Sequence, residues 1–547
     1  MLATDNIINC EIITASPQTV ILQKTDRMKI KLLYSCLLLA AAGSAFAQDT
    51  PDPAMVQKIR EEGLNHSKVM DIAYHLTDAS GPRLSGSPGL KRAQDWAVNE
   101  LKTWGMVNAK REAWGKFGKG WEVQKNYVAM TAPYYHALIA IPKAWTPGTN
   151  GPIKGDVILV KADTLTDLDK YKGTLKGKVI IFDTKPGVER TFKADGIRYT
   201  DEQLDEMAKA KPQAPGAQRR GGPNSPQFTA MQKARALRAA INTFLQGESV
   251  GLVLTQARGS DGTVFTTNGA SYADTAKAVS PELETSGEDF QRILRLVKAG
   301  EKVSIEADIK TQFFTDDLQG YNVVGEITGT DKKLKEQVVM IGGHLDSWHA
   351  ATGATDNAAG SAVMLEVMRI LKAVNFHPRR TIRIALWSSE EQGLFGSRGY
   401  VFNHFGDPKT MELKPEQSKV SAYYNLDNGS GKLRGIYLQG DSLAGPIFKA
   451  WLQPFKDLGA ATVTISNTGS TDHVSFDAVG VPGFQFIQDP LDYGSRTHHS
   501  NQDTYDKLSE DDLKQAATIV ASFVYNTSQR DDMIPRKELP KPQPTRN

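Results

Sequence analysis

Val338-Val339-Met340-Ile341-Gly342-Gly343-His344-Leu345-Asp346 runs from four apolar residues through two glycines to a histidine and an aspartate. Its apolar part reads as a buried strand, and the polar residues then lie beyond the strand's carboxyl end. The pattern recurs. Thr381 to Trp387 reads as a strand and runs into Ser388-Ser389-Glu390-Glu391-Gln392-Gly393. Val420 to Asn425 reads as another and runs into Leu426-Asp427-Asn428. Ala358 to Val374 has apolar residues at three- and four-residue spacing, which predicts a helix, opened by Thr355-Asp356-Asn357. A helix from Ser442 to Leu458, strands at Thr462 to Ser466 and Phe484 to Ile487, and a closing helix from Leu513 to Tyr525 continue the series. After the last strand stands Thr497-His498-His499-Ser500-Asn501-Gln502-Asp503-Thr504. Such alternation predicts an α/β three-layer sandwich around a mostly parallel sheet.

Ligands of open α/β sheets bind beyond the carboxyl ends of the strands. Acidic residues and histidines therefore gather at five successive functional ends of one sheet. The chain has only two cysteines, Cys10 and Cys36. A disulfide framework, a thiolate zinc site and a cysteine nucleophile are excluded from everything after them. A metal site must use His, Asp and Glu, and these suit two zinc ions. Ions about 3.5–4 Å apart need a bridging carboxylate. The set supplies two histidines, three ligand carboxylates and one spare glutamate to carry a proton.

Composition agrees with an ordinary globular protein: 547 residues, 40% hydrophobic, 23% charged, formal net charge +3. It rules out a collagen, a coiled coil or a wholly disordered chain, and gives no reason to expect nucleic acid or a membrane surface as a partner. Met28-Lys29-Ile30-Lys31, the apolar run to Ala42 and Ala45-Phe46-Ala47 form a signal peptide, residues 28–47. Residues 1–27 read as an upstream mis-start. The mature protein is then expected to be exported, periplasmic or secreted, with no stable membrane insertion. Strands at Gly155 to Val160 and Gly177 to Phe182, a polar loop over 186–226, a helix from Ala230 to Leu245 and a strand from Val250 to Leu254 outline a β-rich module over 136–312. Residues 531–547, rich in Pro and charge, are expected to be a disordered tail.

His344-x-Asp346, Asp356-Asn357-Ala358-Ala359-Gly360, Glu390-Glu391-x-Gly393, Asp427 and His499-Ser500-x-x-Asp503-Thr504 resemble, in order, the co-catalytic di-zinc exopeptidase family. That family includes secreted bacterial aminopeptidases, plasma glutamate carboxypeptidase and the glutaminyl cyclases. Gly81-Pro82-Arg83 and Gly86-Ser87 resemble its N-terminal opening, so 48–135 and 313–530 are expected to form the peptidase domain. The module at 136–312 resembles an inserted protease-associated domain.

The resemblance implies that Asp356 bridges two zinc ions, that His344 and Asp427 complete one site, and that Glu391 and His499 complete the other. It makes Glu390 the general base acting on a bridging water. Which of Glu390 and Glu391 is base rests on the family's order alone. It places Asp346 behind His344, accepting a hydrogen bond from the ring, and makes the Asp356–Asn357 peptide cis. Many such aminopeptidases have Tyr where this chain has His498. The His498-His499 pair is similar to the plasma glutamate carboxypeptidase branch, whose members act on dipeptides. It also leaves a choice of ligand between His498 and His499, in which counting back from Asp503-Thr504 favours His499. Asp472-His473 matches a segment lining the substrate pocket, so His473 is expected to make a weak substrate contact. His349, in the loop after Trp348, reads as solvent-exposed.

The expected activity is hydrolysis of the N-terminal peptide bond of peptides or dipeptides. The alternatives are a dipeptidase, a one-zinc glutaminyl cyclase, or a receptor-like binding protein without activity. The complete ligand set favours hydrolysis over the last two.

Overall fold

A computed structural model describes residues 49–162, 164–184, 191–212 and 226–542. The expected signal peptide and residues 1–27 lie outside the described residues. Residues 51–547 form one structural unit and residues 1–50 another.

Two large mixed sheets organise this unit. The first has the strand order Val107–Lys116, Gln319–Ile327, Thr381–Trp387, Val338–His344, Val420–Asn425, Gly483–Gln488, Leu433–Tyr437, Thr462–Thr464. Its four central strands, from Thr381–Trp387 to Gly483–Gln488, are parallel. Register aligns their ends: His344 lies beside Trp387, and Gly342 beside Asn425. The polar residues that follow these strands therefore emerge side by side.

Buried apolar strands need cover on both faces. Helices Ala359–Ala373 and Glu510–Gln529 bury Val363, Val367, Ile519 and Phe523 against one face, joined by Ile59 and Leu76 of the N-terminal helices. On the other face Trp387, Tyr423, Phe405 and Phe476 form a separate aromatic core. This is the expected three-layer arrangement.

The second sheet runs His136–Ala137, Gly120–Ala132, Ser304–Phe314, Ile153–Val160, Val179–Phe182, Leu252–Gln256, Glu282–Thr285, Ala140–Pro142. Helix Gly287–Lys298 covers one face. Helix Pro226–Gly247 lies over the other, with Ile241 and Leu245 in a second core. The module is thus mixed α/β and not simply β-rich. Its boundary also differs from the expected residue 135. Gly120–Ala132 pairs along its length with Ser304–Phe314, so the change of sheet falls between Lys116 and Gly120. Long alternating strands look alike in sequence whichever sheet they join. The chain leaves the first sheet at Lys116 and returns at its antiparallel neighbour Gln319.

The expectation of a disordered tail does not hold for residues 531–542. Ile534 is buried in the main core, and Arg536 donates to the carbonyls of Gln417 and Val420. One apolar residue and two cations, Arg536 and Lys537, anchor a segment whose composition suggests disorder. Residues 543–547 lie outside the described residues. Among the described residues, no helix is long and apolar enough to cross a membrane.

Candidate metal centre

Asp356 lies where the first parallel strand hands over to helix Ala359–Ala373, and the peptide to Asn357 is cis. Asn357 donates to the Leu426 carbonyl at 2.9 Å and accepts from Gly360 N at 3.0 Å, tying the helix start to the strand end that carries Asp427. Glycine is required at 360: a Cβ there would stand 2.1 Å from the Leu426 carbonyl oxygen. Asp503 holds the other side, accepting from Thr355 N at 2.6 Å, Asp356 N at 3.1 Å and the Thr355 hydroxyl at 2.8 Å. Arg83 is fully buried and donates to the carbonyls of Leu345, Leu76, Thr352 and Gly353, which shapes the loop before Asp356.

Two groups of side chains meet on Asp356. His344 Nε2 is 3.3 Å from Asp356 Oδ1 and 3.3 Å from Asp427 Oδ1. His499 Nε2 is 3.2 Å from Asp356 Oδ2 and 2.8 Å from Glu391 Oε2. Donor atoms close enough to share a cation occur in two overlapping sets, His344 with Asp356 and Glu391, and Asp356 with His498 and His499. His498 Nε2 stands further off, 3.8 Å from Asp356 Oδ2, and its ring stacks on His499 at 3.7 Å. Tyr493 donates its hydroxyl to Asp356 Oδ1 at 3.0 Å. A small cleft lined by Trp348, Gly353, Asp356 and His499 opens beside the cluster.

The donor chemistry fits divalent metal. A carbonyl only accepts, so the bond from His344 Nδ1 to the Asp346 carbonyl, 2.9 Å, puts the ring proton on Nδ1. In the neutral ring the Nε2 lone pair then faces two carboxylate oxygens, an arrangement that a cation between them makes favourable. Asp356 Oδ2 and Glu391 Oε1 are buried without a hydrogen bond, and orphaned buried acceptors are costly. Burial, and then the Asp356 charge, push the Glu391 carboxyl up to about 7. Bound cations would relieve that repulsion.

Glu390 is half-buried beside the cluster. Burial acts first on its carboxyl, and together with the charges of Asp427, Asp472 and Glu391 it outweighs the His344 ring, holding the group well above the usual carboxylate range. Asp472 is fully buried, and neither of its carboxylate oxygens has a hydrogen-bond partner. Burial pushes it up to about 7.

The structure brings together His344, Asp356, Glu390, Glu391, Asp427 and His499. Three expectations are corrected. The His344 ring bonds the Asp346 carbonyl, and the Asp346 carboxylate is 3.7 Å away from it. That carboxylate accepts instead from the N–H groups of Glu390 and Glu391. His473 is fully buried, its ring turned to Gln439 and the Thr468 carbonyl, and it presents no surface to a substrate. His349 is buried, donating from Nε2 to the Pro142 carbonyl at 2.6 Å. Sequence reasoning gave no role to Asp503, Tyr493, Arg83 or Asp472. Asp503 and Arg83 stand inside quoted motifs, which was signal enough to ask what they hold.

Residues 322–524 match the model of peptidase family M28. Over 519 residues the chain is 25% identical to mouse (Mus musculus) carboxypeptidase Q, covering 91% of this chain and 97% of that protein. A peptidase M28 precursor from Shewanella amazonensis SB2B is similar in structure, with a TM-score of 0.62 at 24% identity, covering 89% of this chain and 98% of that one. A zinc aminopeptidase from Bacillus subtilis superposes with a TM-score of 0.50 at 19% identity, over 84% of this chain and 93% of its own. The chain is a metallo-exopeptidase. More narrowly, residues 322–524 carry the match to peptidase family M28, and the chain is similar to zinc exopeptidases of that kind.

Proposed function

We propose that this protein is an exported exopeptidase that uses two zinc ions to hydrolyse the N-terminal peptide bond of peptides or dipeptides. The observation that carries this reading is Asp356, set between His344 and His499 with one carboxylate oxygen turned toward each ring. His344, Asp427 and Asp356 would hold one ion; His499, Glu391 and Asp356 would hold the other. Bound zinc would polarise the scissile carbonyl and acidify the attacking water.

The chain's own groups do the rest. Asp346 fixes the turn that carries Glu390 and Glu391 by accepting from both N–H groups. Glu390, kept basic enough by its surroundings to hold a proton, takes one from the attacking water and returns it to the departing amine. Asp503 and Arg83 fix the loop that aims Asp356. Export rests on the signal-peptide reading of 28–47. The module enclosed by the second sheet is read as a protease-associated domain. Similarity to carboxypeptidase Q over nearly the full length of both chains is compatible with a second reading, a dipeptidase of the plasma glutamate carboxypeptidase type.

A panel of free and N-blocked dipeptides and tripeptides, followed by mass spectrometry, tests both. Release of the N-terminal residue from free tripeptides supports aminopeptidase activity. Cleavage confined to dipeptides supports the second reading. Cleavage of blocked substrates at internal bonds, or no cleavage of any, overturns the proposal.

A further inference from the structure

We infer that the middle module is a working part of the metal centre: it clamps the loop bearing His499, and Arg496 is the positioning residue through which it does so. The inference rests on the proposed role of His499 as a zinc ligand.

His499 has φ +62°, a backbone conformation that residues other than glycine adopt only when the surroundings impose it. The surroundings here belong to the module. Thr266 donates its N–H to the His499 carbonyl at 2.8 Å, and its hydroxyl to the same oxygen at 3.3 Å. Phe265 pairs with Ser500 in an antiparallel bridge. Val264 N–H donates to Asn501 Oδ1 at 2.7 Å, and the Asn501 N–H returns to the Val264 carbonyl at 3.1 Å.

Arg496 locks this pairing in place. Its Nη1 donates to the Ser260 carbonyl at 2.7 Å and the Thr263 hydroxyl at 3.0 Å. Nε and Nη2 both reach Asp195 Oδ2, at 3.0 and 2.8 Å, and Nη2 also reaches Asp261 Oδ2 at 2.8 Å. All five donors of the guanidinium fork are thus spent on the module. The side chain is only 13% exposed. On its own loop, the Arg496 carbonyl accepts from the Ser500 hydroxyl, next to His499. The fork therefore fixes the two sides of one short loop, and with them the direction of the His499 ring toward Asp356 and Glu391. Groups that orient a ligand commonly govern metal affinity about 10–100-fold.

Zinc titration of the chelator-stripped full chain, followed by calorimetry, tests this. The wild type is expected to show two binding events. R496A should weaken one of them 10–100-fold and leave the other within about threefold. R496K, which keeps the charge but not the fork, should recover part of the loss. D195A removes the acceptor of two of the five bonds, and should weaken the same event by a smaller factor; it serves if R496A does not fold. Folded variants with both affinities unchanged would show that the contacts only glue the module down, and would overturn the inference alone. A wild-type chain that takes up no zinc would overturn the functional reading, and the inference with it.

Discussion

The Asp346 carboxylate holds the Glu390–Glu391 turn from below: Oδ1 accepts from Glu390 N at 3.2 Å and Oδ2 from Glu391 N at 3.3 Å, while Ser85 donates to Oδ2 at 3.3 Å. One buried carboxylate thus aims both the proposed proton carrier and a proposed ligand. D346N replaces one acceptor by an NH2 group facing an N–H donor. Leaving that donor unsatisfied is expected to cost about 1–3 kcal/mol, read by urea unfolding. Turnover should fall while His344, anchored on the backbone carbonyl, keeps its tautomer.

E390Q keeps the shape and removes the proposed proton carrier. Zinc content, measured by atomic emission, should match the wild type. Turnover should drop by roughly 10²–10⁴-fold. Wild-type-like turnover would sink the assignment of Glu390 as base.

Chelation should abolish activity, and added zinc should restore it. Because the emptied cluster leaves Asp356, Glu391 and Asp427 facing one another, melting temperature should fall on stripping and recover with zinc. A melting curve indifferent to chelator would count against metal at this cluster.

Burial holds the His349 ring down at about 4, against an ordinary value near 6.5. Nε2 already donates to Pro142, and the buried Nδ1 has no partner for a second proton. Above pH 6.5 the ring is neutral folded and unfolded. Between 6.5 and 4 the unfolded chain takes up a proton that the folded chain refuses, so stability falls as pH falls. The loss reaches roughly 3 kcal/mol near pH 4. Urea unfolding of wild type and H349F across this range should show a shallower pH slope in the variant.

Ile534 fills the main core from beyond the last helix. I534A should cost about 2–4 kcal/mol by thermal or urea unfolding, as for other large-to-small core changes.

Strand ends were legible because burial forces a parallel strand to be apolar and chemistry forces its sequel to be polar. His344, Glu390, Glu391 and Asp427 all stand at such a boundary. Asp356 was legible through its Asp-Asn-Ala-Ala-Gly setting, whose last glycine has a steric reason in the Leu426 carbonyl. The hydrogen bonds of Asp346 were not legible, because a carboxylate two residues from a histidine can as well face the next strand's turn. His349 and His473 were misread for a related reason. A neutral imidazole buries readily once a carbonyl accepts its proton, and nothing in a linear sequence announces that carbonyl. The clamp on His499 was hidden more deeply, since Arg496 and its partners Asp195, Ser260, Asp261 and Thr263 lie far apart in the chain and meet only in the fold.

Lys116 and Gln319 face each other across two neighbouring antiparallel strands. In topological terms the whole middle module is the tip of a β-hairpin. A hairpin tip can accept a long insertion at a closure cost that grows only slowly with length, and without shifting the register of either strand. The peptidase sheet could thus gain or shed the module in a single genetic event at one site. A turn of a few residues joining Lys116 to Gln319 would reclose the sheet. The resulting minimal protein would keep every proposed ligand and lose the module's contacts, among them those on the His499 loop, the His349–Pro142 bond and the Arg198–Asp489 ion pair.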